Sequence, residues 1–409
     1  MSGSAFSSLR VIDCASWIAA PAAATLLGDL GADVIKVEPA DGGDPFRSVS
    51  NLPGGPQSRH NHYWILGGRG KRSLAIDLSC PAGQQILKKL VLTADVFITN
   101  FPHKVRDRLG IGFEALRAIN PRLVYASFTA YGEVGEERDR QGFDVTAWLG
   151  RSGLMDLLRN DPETAPPRSI YGIGDYPSAV TLFAAIMCGL YQREITGAGD
   201  YVSSSLLANG AWTNGNFIQA RLCGGEIDRM RGRETANNPL NNHYRCADGR
   251  WVQIAVSNAD RQWPALAREV AGEAWLLGDP RFATAAARAA NAIALMAELD
   301  RIFAVHPLQY WLERLDRFSI PFGFIQVVGD IPKDRQMIES GVLVPVEGQD
   351  FMTLSGPLVV NGVETRRPTM PPDLGQHSVE ILAELGLDAD AVDRLVRDNV
   401  VLKAVANDA

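Results

Sequence analysis

The stretch Ser169–Val180 reads SIYGIGDYPSAV and sets one carboxylate, Asp175, after Gly172 and Gly174 and before Tyr176-Pro177. An apolar run, Val180 to Leu190, follows. Two roles fit these residue types. Aspartate is a favoured helix N-cap, so Asp175 can cap the apolar segment. It can also act as a nucleophile. The roles are compatible, because a helix N-terminus favours an ionised carboxylate. Residue physics alone favours the cap.

Other reactive side chains are scattered. The run from Asn100 to Arg108, NFPHKVRDR, crowds Lys104, Arg106 and Arg108 after a strand end. Such a cluster suits phosphate groups, and equally an exposed charged helix turn. Gly70-Lys71-Arg72 is a second basic point. His103, His243 and His377 read as surface or satisfied histidines, and Glu136-Glu137 as a solvated face. The five cysteines, Cys14, Cys80, Cys188, Cys223 and Cys246, show no metal-ligand spacing, so no metal is expected.

The elements that must position these residues begin as β-α-β. Leu9–Asp13 and Val34–Glu38 read as strands around a helix from Ala19 to Leu30, with Pro21 near its start and Gly31 past its end. The strand–helix connection is Cys14–Pro21, not G-x-G-x-x-G, which argues against NAD or FAD. Strand and helix patterns alternate to about residue 128, the mark of a Rossmann-like parallel sheet. The region from 175 to about 220 reads helical, broken at Gly197-Ala198-Gly199. Arg229–Arg233 and Asn237–Asn242 read as a linker, and Tyr244–Ile254 as a hairpin around Asp248-Gly249. The fold class expected is α/β: a large domain from 1 to 220, completed by 331–409, with a smaller α+β domain from 225 to 330.

The 409 residues carry a net charge of −7, which argues against nucleic acid as a partner. No apolar run reaches membrane-span length, and the start MSGSAFSSLR has no signal-peptide pattern, so a cytoplasmic location is the expectation.

A set of short motifs, in order, resembles the family III coenzyme A transferases of the CaiB/BaiF superfamily, including formyl-CoA and 2-hydroxyacyl-CoA transferases. They include Leu30-Gly31-Ala32-Asp33-Val34-Ile35-Lys36-Val37-Glu38-Pro39, Gly43-Asp44-Pro45, Gly70-Lys71-Arg72-Ser73 and Asn100-Phe101-Pro102 with Arg108-Leu109-Gly110. Asn120–Tyr125, Gly142-Phe143-Asp144, Gly174-Asp175, Arg193–Gly199 and Gly375-Gln376-His377 complete the pattern. The resemblance implies an interlocked homodimer that takes an acyl-CoA and a free carboxylic acid as substrates. Asp175 would be the catalytic nucleophile, passing through a mixed anhydride and an aspartyl-CoA thioester.

The same resemblance places coenzyme A against Asn100, Phe101 and Arg108, with Ile76 beside the adenine and Ile18, Ala19 and Ala20 along the pantetheine arm. Lys104 and Arg106 stay undecided, and Ile76 equally suits a plain strand-entry turn. Family members often carry an arginine after the Glu38 position. Pro39 stands there, leaving Lys36, Arg47 or Arg69 as replacements. Trp17, Phe143, Asp144 and Gly174 would border the substrate. Trp17, Ile18, Phe143 and Trp148 add apolar surface, which points to an apolar or aromatic acid, with 2-hydroxy acids the branch most resembled. Two rivals remain. The similar α-methylacyl-CoA racemases use a histidine where Phe143 stands, and Phe143 cannot carry a proton. A non-catalytic CoA-binding paralogue would not need Gly174-Asp175.

Overall fold

The computed structural model describes residues 6–50, 55–161, 163–227 and 232–404. The first part of the chain alternates strand and helix: β1 (Arg10–Asp13), α1 (Ala19–Asp29), β2 (Asp33–Glu38), α2 (His62–Gly68), β3 (Lys71–Ile76), α3 (Pro81–Val91), β4 (Val96–Thr99), α4 (His103–Leu109), α5 (Phe113–Arg117) and β5 (Val124–Thr129). Local chemistry explains the boundaries. Pro81 opens α3 where no N–H partner is needed, and the Cys80 thiol accepts the Gly83 N–H. Gly31, at φ 111°, ends the α1 connection in a conformation that a side chain would disfavour.

A short α6 (Leu154–Leu157) precedes the long α7 (Asp175–Thr196). Gly197 stops α7 in the left-handed conformation, as the glycine break predicts. The next segment departs from the helical expectation. It forms strand β6 (Tyr201–Ser205), then α8 (Leu206–Thr213) and α9 (Gly215–Leu222). Three serines hide this strand from a hydrophobicity reading. Among the described residues β6 pairs with β5 alone, at the sheet edge, so it need not be apolar on both faces.

The chain continues through β7 (Asn241–Arg245), β8 (Trp251–Ala255), α10 (Ala259–Ala265), α11 (Trp275–Gly278), α12 (Ala285–Ala290), α13 (Ala292–Phe303), α14 (Leu308–Arg317) and β9 (Phe322–Phe324). It closes with α15 (Arg335–Glu339), β10 (Leu343–Pro345), β11 (Met352–Leu354), α16 (Ser378–Glu384), α17 (Ala389–Arg397) and β12 (Val401–Leu402).

Contacts divide the chain into two units. One holds residues 1–154, 169–219 and 335–409. Its sheet has the order β12-β3-β2-β1-β4-β5-β6, parallel throughout except for β12, which runs antiparallel to β3 with Val401 opposite Ile76. A mixed α/β fold with a large parallel sheet was expected, and it is present. Between the strands and flanking helices lies a core of Ile12, Ile35, Leu74, Phe97 and Tyr125. α7 lies close on this sheet at Gly189, where a Cβ would stand 2.8 Å from Val124. The sheet's strand order reverses at β1, between β2 and β4, and open α/β sheets bind ligands beside the strand ends at such a point.

The other unit holds residues 155–168 and 220–334. β7, β8 and β9 form an antiparallel sheet, and Tyr244, Trp263, Phe303 and Trp311 anchor its core. The hairpin read around Asp248-Gly249 is present, with Gly249 at φ 79°. Asn241 and Asn242 belong to strand β7 rather than to a linker, and Arg229–Arg231 lie outside the described residues. Among the described residues no helix is long and apolar enough to cross a membrane.

Candidate active site

Asp175 is the first residue of α7, and Gly174 occupies the N-cap position with no side chain capping the helix. The cap reading is thereby corrected: Asp175 stands one residue inside the helix. Its carboxyl is partly buried. Burial first, and the nearby Asp144 carboxylate second, push it up to about 7. These effects outweigh the preference of a helix N-terminus for an ionised carboxylate.

Two glycines shape the approach to Asp175. Gly172 has φ 77°, and a Cβ there would lie 3.0 Å from the Tyr176 ring and 3.8 Å from Ile18 Cδ1. Ile18 therefore sits beside this turn. A Cβ on Gly174 would stand 2.5 Å from Trp148 Cγ. Trp148 is buried behind the glycine, so it supports the turn and does not extend the exposed apolar wall read from the sequence. Asp144, itself buried, accepts the Gly174 N–H on Oδ2 at 3.1 Å and the Val145 N–H on Oδ1 at 2.7 Å.

An aromatic wall stands on the connection between β1 and α1. Trp17 has φ 69°, a left-handed conformation rare for a bulky side chain. Its ring meets Phe143 edge-on, with centroids 6.0 Å apart, and both rings are exposed. The Phe46 ring centroid lies 6.5 Å from that of Trp17, and the Tyr63 centroid 5.8 Å from that of Phe46. Burial and the neighbouring Tyr171 raise the Tyr63 phenol. Phe46 and Tyr63 were missed in the sequence. They lie outside any periodic pattern, and α2 is only seven residues long with two glycines. Ala19 and Ala20 are buried in the first turn of α1, which no side chain caps. What that turn offers a ligand is backbone N–H, not side-chain surface.

A cavity of about 360 Å³ opens where the ends of β1 to β4 converge. Cys14, Val37, Ile76, Leu78, Phe101 and Leu109 supply its apolar lining. Ile76 is fully buried at the end of β3. Burial pushes the Cys14 thiol up to about 12, which makes it a packing residue.

Asn100, expected to contact CoA, is engaged with the backbone of the β1–α1 connection. Its amide accepts the Ser16 N–H at 2.9 Å and donates to the Ser16 carbonyl at 2.7 Å, clamping the β1–α1 connection. The basic run also separates. Arg106 is buried and donates to the Phe101 carbonyl, so it is structural. Lys104 and Arg108 are exposed on α4.

The three proposed replacements for a phosphate arginine are all engaged. Lys36 is fully buried 2.7 Å from Asp44. Arg47 makes a forked pair with Glu38 at 2.7 Å on both arms and covers the Trp64 ring. Arg69 pairs with Asp29 in the same forked way. The exposed cations of the Asn100–Arg108 run are thus Lys104 and Arg108.

The histidines hold structure together. His103 bridges Glu133 through Nε2 at 2.8 Å and Asp139 through Nδ1 at 3.1 Å. His377 Nδ1 accepts the Ser73 N–H at 3.2 Å, and burial keeps its imidazole below the usual range. His243 lies edge-on to Trp251. Glu137 pairs with Arg140 and Arg151. Among the described residues no group of three or more His, Cys, Asp or Glu could hold a metal ion.

Comparison with known proteins agrees with this architecture. The model of CoA-transferase family III matches residues 6–378. The chain is 29% identical over 397 residues to the (R)-2-hydroxy-4-methylpentanoate CoA-transferase of Clostridioides difficile, covering 96% of this chain and 98% of that protein. It is also 29% identical over 408 residues to the cinnamoyl-CoA:phenyllactate CoA-transferase of Clostridium sporogenes, covering 97% of each. Among solved structures, a CaiB/BaiF family protein from Brucella suis superposes with a TM-score of 0.82 at 30% identity, covering 94% of this chain and 100% of that one.

Proposed function

This chain belongs to CoA-transferase family III, and from that premise we propose that Asp175 is the nucleophile that carries CoA from a thioester to a free carboxylic acid. One observation carries the assignment. Asp175 heads α7 at a glycine turn that leaves no side chain capping the helix, with the Asp144 carboxylate on the Gly174 N–H. Burial first and Asp144 second push its carboxyl up to about 7, and a carboxylate of raised basicity is a better nucleophile than an ordinary one.

The steps balance without an external energy source. An Asp175 oxygen attacks the thioester carbonyl, the C–S bond breaks, and CoA leaves as thiolate with Asp175 in a mixed anhydride. The thiolate attacks the Asp175 carbonyl and releases the donor acid, leaving an aspartyl-CoA thioester. The acceptor carboxylate attacks that thioester, forming a second anhydride and freeing the thiolate again. The thiolate then takes the acceptor acyl group and restores the Asp175 carboxylate. One thioester is exchanged for another, so the overall free-energy change is small.

The uncapped first turn of α1, at Ala19 and Ala20, would donate N–H groups to the thioester oxyanion. The cavity at the strand ends, with Ile76 and Phe101, suits a flat base, and Arg108 suits a phosphate. Asn100 would serve by holding the β1–α1 connection in place. The Trp17–Phe143 wall supports an acceptor with an apolar or aromatic body. The two relatives named above act, by their names, on a branched and an aromatic 2-hydroxy acid, which agrees with that reading. Phe143 offers no proton, so α-proton exchange is not expected. An interlocked homodimer is part of the same proposal.

The test is chemical trapping. Protein incubated with an acyl-CoA and treated with borohydride or hydroxylamine is digested, and the peptide containing Asp175 is weighed. Modification at Asp175, absent in Asp175→Ala, is expected. An unmodified peptide together with full transfer activity in Asp175→Ala would overturn the assignment.

A further inference from the structure

Four ionisable groups lie fully buried under the connection from β1 to α1: Asp13, Lys36, Asp44 and Lys71. Lys36 Nζ stands 2.7 Å from Asp44 Oδ2 and 3.6 Å from Asp13 Oδ1, and donates to the Ala15 carbonyl. Lys71 Nζ donates to Asp13 Oδ2 at 2.8 Å and to the Pro21 carbonyl at 2.7 Å. Asp44 Oδ1 accepts two backbone N–H groups, from Trp17 at 3.2 Å and Phe46 at 2.9 Å. Together with Asn100 on Ser16, these contacts fasten the backbone at Ala15, Ser16, Trp17 and Pro21.

Buried ion pairs contribute little net stability compared with apolar packing of the same volume. A left-handed conformation for a bulky residue persists only where its surroundings over-determine it. Both features meet at Trp17, whose ring is exposed against Phe143. The tryptophan is thus held in an unfavourable backbone state by charges that solvent cannot reach.

We propose that Asp44, anchored by Lys36, is a positioning residue that fixes the Trp17 backbone and thereby sets the enzyme's preference for apolar acceptor acids. Asp44 touches neither CoA nor the acceptor; it acts through Trp17. This rests on the reading of the Trp17–Phe143 wall as the acceptor's apolar seat. Asp44→Asn keeps an oxygen for the two N–H groups but removes the anion that Lys36 faces.

The experiment compares kcat/KM for 3-phenyllactate and lactate, acceptors that differ by one phenyl ring, with a common acyl-CoA donor. In Asp44→Asn the phenyllactate-to-lactate ratio is expected to fall about tenfold, the order a lost aromatic contact is worth, while lactate itself changes less than about threefold. Trp17→Ala should lower the ratio by a similar factor, and the double variant should lower it no further. Equal losses for both acids, or multiplying effects in the double variant, would overturn the proposal. Should Asp44→Asn fail to fold, the charge-balanced Lys36→Met/Asp44→Asn variant takes its place, since it leaves no new unpaired charge. A wild-type ratio near one would overturn the acceptor reading and this inference with it. A high wild-type ratio left intact by the variants overturns this inference alone.

Discussion

The Asp144 carboxylate accepts the N–H of Gly174 at 3.1 Å, which sets a second negative charge beside the residue that precedes Asp175. Burial is the larger cause of the raised Asp175 value, and Asp144 adds to it. In the proposed mechanism Asp175 reacts in its ionised form, so kcat/KM for an acyl-CoA should rise with pH through an inflection near 7. Asp144→Asn keeps an oxygen for the Gly174 N–H and removes the charge. The inflection should move down toward the ordinary carboxylate range, but not reach it, because burial remains. A pH–rate profile of both proteins checks this. An unmoved inflection would mean that Asp144 does not sense Asp175.

The raised Asp175 carboxyl also makes a stability prediction with a definite sign. It holds its proton in the folded state up to about 7, against an ordinary value of 3.8. Between those values the folded state binds more protons than the unfolded state, so stability falls as pH rises through that window. Asp175→Asn removes this penalty. It should abolish CoA transfer and yet melt higher than wild type above pH 7, with the gain shrinking steadily toward pH 4. Partial exposure of the carboxyl screens the effect, so the gain should stay below an upper bound of about 4 kcal/mol. Thermal unfolding at pH 4, 5.5 and 8 gives the comparison.

Arg106 and Arg108 lie two residues apart and should behave oppositely. Arg106 is buried with its guanidinium on the Phe101 carbonyl and the Tyr201 hydroxyl. Arg106→Ala should cost about 3 kcal/mol of stability by removing a buried side chain and the donor on the Phe101 carbonyl. Arg108 is exposed. Arg108→Ala should leave the melting temperature unchanged within a degree or so and raise KM for the acyl-CoA about tenfold, the order of one charge-assisted phosphate contact. Measuring unfolding and KM on both variants separates a structural arginine from a ligand-binding one.

This contrast shows where a sequence stops being legible. Spacing and motif order located the parallel sheet, the Asp175 turn and the aromatic positions Trp17 and Phe143. They could not rank Lys104, Arg106 and Arg108, because burial depends on which face of the short α4 packs. Nor could they reveal that Lys36, Arg47 and Arg69 are already paired: Asp44, Glu38 and Asp29 become their partners only through tertiary contact. Strand β6 was hidden by its serines, and β12 by its two-residue length. Phe46 and Tyr63 reach the aromatic wall from irregular or very short elements, where periodicity carries no signal.

Gly174 offers the sharpest steric test. A Cβ on this residue would lie 2.5 Å from Trp148 Cγ and 2.7 Å from Trp148 Cβ, well inside contact distance. Either the indole or the turn must shift. The indole is buried, and the turn holds Asp144's hydrogen bond and starts α7 at Asp175. Gly174→Ala should therefore cost about 1–3 kcal/mol from overpacking. It should also lower kcat more than it raises KM for the acyl-CoA, since a displacement near 1 Å at a nucleophile can cost about a hundredfold in rate. Shrinking the neighbour should relieve part of the strain. In a Trp148→Leu background, Gly174→Ala should cost less stability and less kcat than in wild type, so the two effects will not add. The double-mutant cycle needs only unfolding curves and steady-state rates for four proteins. Additive losses would show that Gly174 is required for a reason other than its contact with Trp148.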